Sequence, residues 1–213
     1  ILIGGIVQIV PTILVKSNIP TIASVKPYTP LELEGRDLYI REGCVGCHSQ
    51  MIRPFRSEVE RYGEYSKAGE FVYDHPHLWG SKRTGPDLHR EGGKRSDGWH
   101  YNHFIDPIET DAKSVMPSYD FLTESELDLS DLPKKINAMR TLGVPYAKDF
   151  ENVSIAKAEE QARIIAESII DELSDSEIEN KEAKINELSK KEVVALIAYL
   201  QRLGTDINAK EEE

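Results

Sequence analysis

The sequence predicts a mostly α-helical domain standing on an amino-terminal membrane helix. Three observations predict it. Apolar residues recur at helical spacing in the last third: Ile155, Ala158, Ala162, Ile165 and Ile169, then Val193, Leu196, Ile197, Leu200 and Leu203. The first fifteen residues, ILIGGIVQIVPTILV, are apolar apart from Gln8 and Thr12. Between these regions, residues 48–122 are rich in Gly, Pro, Trp and His and show little periodicity. So long an irregular stretch suits a compact domain only if a large rigid ligand supplies part of the core.

Charge narrows the function. The chain has 213 residues and a net charge of -11, which argues against nucleic acid as a partner because phosphate is repelled. Residues 151–213 hold 16 acidic and 8 basic side chains, whereas residues 36–103 hold 10 and 11. The acidity therefore belongs to the carboxy-terminal helices, where a solvated surface explains it.

Taken in order, residues 1–15 are shorter than the roughly 20 needed to cross a bilayer. With neither a methionine nor a charged leader ahead of them, they read as the outer end of a membrane helix that starts upstream. Pro11 is tolerable there if neighbours satisfy the freed carbonyl, and Lys16 marks the water boundary. Residues 16–31, with Pro20, Pro27 and Pro30, read as a stiff extended linker. A helix is expected from Glu32 to Cys47, followed by ordered loops. Ser130 is placed to cap a helix carrying Leu132, Ile136 and Met139 that stops at Gly143, and Ser154 to cap the next. Residues 171–188 are acidic and weakly amphipathic, and an acidic helical insertion over about 154–188 is expected, its second half solvated. Ser189 and Glu192 fit a capping box for the last helix, which Gly204 ends. Residues 209–213 form a frayed acidic tail, leaving a folded domain at about 32–208.

The chemistry sits in REGCVGCHSQ, residues 41–50, which holds the chain's two cysteines. A disulfide framework needs several pairs. Zinc needs four ligands, and adding His75 and His77 gives no standard spacing. A thioredoxin-like dithiol follows a strand, whereas helical sequence precedes Cys44. Cys-x-x-Cys-His as a c-type haem attachment remains. Two thiols about one turn apart reach the two vinyl groups of one haem edge, and His48 is delivered to the iron.

Such a haem needs His48 oriented and a second axial ligand. The carbonyl of Pro86, in the rigid turn Thr84-Gly85-Pro86-Asp87-Leu88, is placed to accept the other imidazole N–H. On the distal side Met51 is tethered too close to His48, and Met139 lies on a core stripe. Met116, in a loop beside Pro117, is the expected ligand, ahead of His75, His77, His89, His100 and His103; a thioether raises the potential relative to a second imidazole. Trp79, Trp99, Tyr101, Phe104 and Tyr119 are candidate cover for the ring. Arg53, Arg56, Lys82 and Arg83 are candidate propionate partners, Arg53 and Arg83 foremost.

The order of helix, Cys-x-x-Cys-His, Gly-Pro-Asp-Leu, Met-Pro and closing helix resembles class I cytochromes c. Longer motifs are more specific: HSQMIRPFR at 48–56, ERYG at 60–63, WGSKRTGPDL at 79–88, GVPY at 143–146 and AYLQRLG at 198–204. They are similar to subunit II, the membrane-anchored monohaem subunit, of the C-family (cbb-type) cytochrome c oxidases. Val45-Gly46 departs from the larger residues of that family. The resemblance implies a class I cytochrome c domain with one covalent haem c, on the outer, periplasmic face of a bacterial cytoplasmic membrane. It implies electrons arriving from a di-haem cytochrome c subunit and leaving to haem b of the catalytic haem–copper subunit, in aerobic or microaerobic respiration. Oxygen is reduced in that subunit and not in this chain. It further implies a structural calcium near the interface, with Ser81 as a contact. The competing expectation is a free or sensory periplasmic cytochrome c, and a haem peroxidase would need an open sixth position.

Overall fold

The computed structural model describes residues 2–14, 20–80, 82–173 and 180–208. The described chain is helical, and its single β-feature is one antiparallel bridge between Glu126 and Lys191. Helix α1 spans Leu2–Leu14 with Pro11 inside it, and none of its side chains through Pro11 is buried. Leu2 and Ile3 are 78% exposed, a helix surface that water does not favour. Among the described residues no helix is long and apolar enough to cross a membrane.

Residues 20–29 contain one turn and no helix. Helix α2, Pro30–Arg41, starts two residues earlier than expected because Thr29 and Glu32 form a capping box. The Glu32 carboxylate accepts the Thr29 N–H at 2.8 Å and the Thr29 hydroxyl accepts the Glu32 N–H at 3.3 Å. Pro30 suits the first turn, where its missing N–H costs nothing. The helix does not run on to Cys47. It stops at Arg41, Gly43 turns at φ 73°, and Cys44–Gly46 form a separate 3₁₀ turn.

Short helices punctuate the loops: α3 at Arg56–Tyr62, α4 at Asp97–Ile105 capped by Ser96, and α5 at Pro107–Thr110 capped by Asp106. Helix α6 covers Leu132–Thr141 and buries Leu132, Ile136 and Met139. Its cap position is Asp131 and not Ser130, whose N–H is taken by Asp128 at 2.9 Å. Helix α7, Ser154–Leu173, begins on Ser154 itself, and that hydroxyl donates back to the Glu151 carbonyl at 2.8 Å.

Helix α8, Lys181–Leu188, packs on α7 and buries Ile185 and Leu188. The expectation of solvated padding over 171–188 therefore fails for 181–188, while 174–179 lie outside the described residues, as does the tail 209–213. Ser189 closes α8, so it cannot cap α9, which runs Glu192–Arg202 from Lys191. Glu192 instead pairs with both terminal nitrogens of Arg41 on α2, at 2.7 and 2.6 Å. Gly204 follows the helix at φ 71°.

The centre of the domain is the crossing of α2 with α9, flanked by α7 and α4. Every residue from Glu192 to Leu200 is buried. At the crossing a Cβ on Gly35 would strike the Ala195 carbonyl and lie 2.9 Å from Tyr199 Cβ. Glycine is there for close approach, since alanine would otherwise favour the helix by about 1 kcal/mol. Tyr39 and Tyr199 meet at a tilt of 59° beside this crossing, centroids 5.4 Å apart. Gly35→Ala should therefore destabilise the domain by about 2 kcal/mol net, as overpacking does, read from the midpoint of denaturant unfolding. A variant as stable as the parent would show that the helices can part.

Candidate haem site

Cys44 opens the 3₁₀ turn Cys44–Gly46 and Cys47 caps its end, Cys44 half-buried and Cys47 exposed. Burial pushes the Cys44 thiol up to about 11. His48 follows, and its Nδ1 lies 2.9 Å from the Pro86 carbonyl oxygen. A carbonyl only accepts, so Nδ1 carries the proton and the Nε2 lone pair is left for a ligand role. Burial lowers the His48 pKa, with the Pro86 carbonyl opposing, which keeps the imidazole neutral as coordination requires. Gly85 lies flat against the ring: a Cβ there would strike Cε1 and stand 2.8 Å from Nδ1 and 2.9 Å from Nε2.

Backbone bonds zip the histidine segment to the proline turn. Gly85 N–H donates to Cys47 (3.0 Å), Leu88 N–H to Ser49 (2.9 Å) and Gln50 N–H to Trp79 (2.7 Å). The buried carboxylate of Asp87 knots the two together: it accepts from Ser49 Oγ (2.6 Å), Met51 N–H (2.9 Å) and its own neighbour's His89 N–H (2.9 Å). Gln50 and Tyr199 exchange hydrogen bonds at 2.9 and 3.1 Å, tying this loop to α9, and Tyr39 reaches the His48 carbonyl at 3.4 Å.

Arg83 crosses the same knot, donating to Ser49 Oγ (2.6 Å), the Met51 carbonyl (2.7 Å) and Glu58 (2.8 Å), with Asp87 at 3.3 Å. Arg53 also closes on Glu58, its Nε at 2.5 Å. Both expected propionate partners thus already hold a carboxylate within the chain. Arg56 is largely exposed against Glu60, and Lys82 is exposed. Ser81 lies outside the described residues. Among those described, no group of three or more His, Cys, Asp or Glu side chains is set to hold a metal ion, so calcium gains no support.

Met116 is half-buried against the core, its N–H on Ser114 Oγ at 3.2 Å. Two bonds pin its loop to the end of α4: Ser118 Oγ to the Ile105 carbonyl and Tyr119 N–H to the Phe104 carbonyl, both 2.7 Å. Burial raises the Tyr119 pKa, with Cys44, Cys47 and Glu42 adding to it, so this loop lies near the cysteine turn. His103 is half-buried and stacked on Trp99, and burial lowers its pKa. Ile40, Cys44, Val45, Leu88, Tyr101, Met116 and Tyr119 are all partly buried against the core. Phe104 is buried in that core, whereas Trp79 is 38% exposed on the surface.

The remaining candidates are placed elsewhere or otherwise engaged. Met51 is held in the Asp87 knot and Met139 is buried in α6. His89 is buried, stacked on Phe71 and 2.5 Å from Ser66 Oγ, with burial driving its pKa down to about 3. His77 stacks on Trp79, and His75 gives its carbonyl to Arg36. His100 is buried, and its Nε2 makes no hydrogen bond among the described residues.

Thiols three positions apart, a neutral histidine with Nδ1 occupied and a thioether on a pinned loop fit a covalently held haem. Gly85, Glu58, Asp87 and the Gln50–Tyr199 pair are site residues that the sequence reading does not single out. Gly85 and Asp87 have a signal in the Gly-Pro-Asp-Leu motif and Gln50 in HSQMIRPFR; Glu58 has none.

Glu58 gives a pH test. Arg83 first, and Arg53 after it, hold its carboxyl down from 4.5 to about 2. A depressed folded pKa contributes stability above pH 4.5 that is lost as pH falls toward 2. Glu58→Gln should lower stability at pH 7 and flatten the acid dependence between about pH 4.5 and 2, measured by denaturant unfolding at stepped pH. An unchanged slope would show that Arg83 does not depend on this carboxylate.

No curated protein matches the chain. One family does, described as cytochrome c oxidase, mono-heme subunit/FixO, and it matches residues 1–207. The chain belongs to that family, the mono-haem cytochrome c subunit of cbb3-type oxidases, and its single haem c accounts for the only Cys-x-x-Cys-His in the sequence.

Proposed function

We propose that this chain is a membrane-anchored electron relay, taking electrons from a di-haem cytochrome c subunit and passing them to haem b of the catalytic subunit. Thioethers from Cys44 and Cys47 hold the haem, and His48 Nε2 and Met116 Sδ hold its iron. The haem when bound supplies one-electron redox chemistry between ferric and ferrous iron.

The chain's residues do the rest. Pro86 keeps the His48 proton on Nδ1, and Gly85 lets the ring lie against the turn. The Ser118 and Tyr119 bonds hold the Met116 loop in place. With His48 and Met116 both as ligands, the iron would keep no open site for oxygen, which fits a relay and not an oxygen-reducing centre. The class I cytochrome c arrangement, with the domain at about 32–208, accords with the α2–α9 crossing beside the site. The exposed apolar surface of α1 supports an anchor that places this domain at the outer, periplasmic face, since such a surface calls for apolar cover.

The observation that carries the reading is the His48–Pro86 contact at 2.9 Å, because it frees one defined nitrogen. The test is axial: Met116→His should abolish the sulfur-to-iron charge-transfer band of the ferric protein and lower its potential. Met139→Leu should change neither and cost under about 1.5 kcal/mol of stability. A band that survives Met116→His would overturn the ligand assignment. Carbon monoxide binding to the reduced parent protein at neutral pH would favour an open sixth position. A haem chain that purifies alone and needs no detergent would favour a free cytochrome.

A further inference from the structure

A subunit needs a surface that its complex covers. Beyond α1, two groups of exposed apolar side chains compete for that role. Ile105, Ile108, Val115 and Phe121 are 37, 59, 77 and 42% exposed, between the end of α4 and the turn after Met116. Leu142, Val153, Ile155 and Ile164 are 59, 45, 36 and 61% exposed, around the start of α7. Scattered exposed residues mean little, but contiguous patches mark interaction sites.

The first group is stitched into one surface. Ser118 joins its loop to Ile105 at 2.7 Å, the turn Asp111–Ser114 closes at 2.8 Å between Ile108 and Val115, and the Phe121 ring lies 6.0 Å from that of Tyr119. It is built on the backbone that carries Met116.

Its rim also carries one sign of charge. Residues 105–121 hold Asp106, Glu109, Asp111 and Asp120 against Lys113 alone. All four carboxylates are exposed, and three accept backbone N–H groups: Asp106 from Ile108 at 3.0 Å, Asp111 from Lys113 at 3.0 Å and Asp120 from Phe121 at 2.9 Å. The second group is ringed by charges that cancel, with Arg140 on Glu151 at 2.5 Å and Arg163 on Glu182 at 2.8 Å. An apolar centre inside a rim of one sign selects a partner of opposite sign and orients its approach.

We propose that the patch centred on Ile108 and Val115 is the surface that another subunit of the oxidase covers, presenting an apolar centre ringed by Lys or Arg. This rests on the relay reading, which puts a redox centre behind the Met116 loop. The two fail separately, because the haem spectrum reports the reading and copurification reports the surface.

The experiment uses the assembled oxidase, solubilised from membranes and captured through a tag on the large haem–copper subunit. Ile108→Asp should cut the amount of this chain captured at least tenfold while its reduced haem spectrum in the membranes stays as in the parent. The variant Glu109→Lys alters only the rim and should lower the salt concentration at which the chain dissociates. Ile164→Asp, in the competing group, should be captured as the parent is. Parental capture of Ile108→Asp, or equal loss with Ile164→Asp, overturns the proposal. If Ile108→Asp accumulates no haem-loaded chain, the rim variant decides: lower salt tolerance supports the surface and parental tolerance overturns it.

Discussion

The rest of the structure depends on one imidazole held between a carbonyl and a glycine. His48 donates through Nδ1 to Pro86 and lies so close to Gly85 that no side chain fits between them. Oriented this way, the ring has one nitrogen committed and one directed away, which is the condition for a fixed axial ligand. The flanking backbone bonds and the Asp87 carboxylate exist in the service of that geometry. A buried carboxylate is costly unless fully engaged, and Asp87 is engaged by a hydroxyl and two backbone N–H groups, with Arg83 close by.

The helices carry this constraint into the core. Gly35 brings α2 and α9 into backbone contact, which sets Tyr39 beside Tyr199. Tyr199 then grips Gln50, two residues beyond the histidine, and Tyr39 approaches the histidine carbonyl. The loop that bears the cysteines is therefore referenced to the best-packed element of the chain. On the other side the Met116 loop is referenced to α4 through Phe104 and Ile105. Two short loops, one bearing the cysteines and His48 and one bearing Met116, are each fixed to a different helix.

Much of this was legible because it is local. The cysteine–histidine spacing, the Gly-Pro-Asp-Leu turn, the stripe of α9 and the core place of Met139 all follow from residues near in sequence. The capping box Thr29-Pro30-Leu31-Glu32 was equally local and was overlooked, because the prolines before it suggested a linker running through Leu31. Other features were not legible because the deciding partner is distant. Ser189 and Glu192 have capping-box spacing, yet α8 claims Ser189 as its end and Arg41, 151 residues away, claims Glu192. Arg53 and Arg83 suited propionates by position until Glu58 came within reach of both. The charged stretch at 181–188 hides Ile185 and Leu188, a buried pair too short for a periodic signal.

The central claim is that the two thiols at 44 and 47 are consumed in covalent bonds to one porphyrin. Intact mass of the denatured chain isolated from membranes measures this most directly. The account predicts a mass greater than the polypeptide's by one haem, reduced to the bare polypeptide when both cysteines are replaced by alanine. A denatured parent chain of bare polypeptide mass, with two titratable thiols, would contradict it.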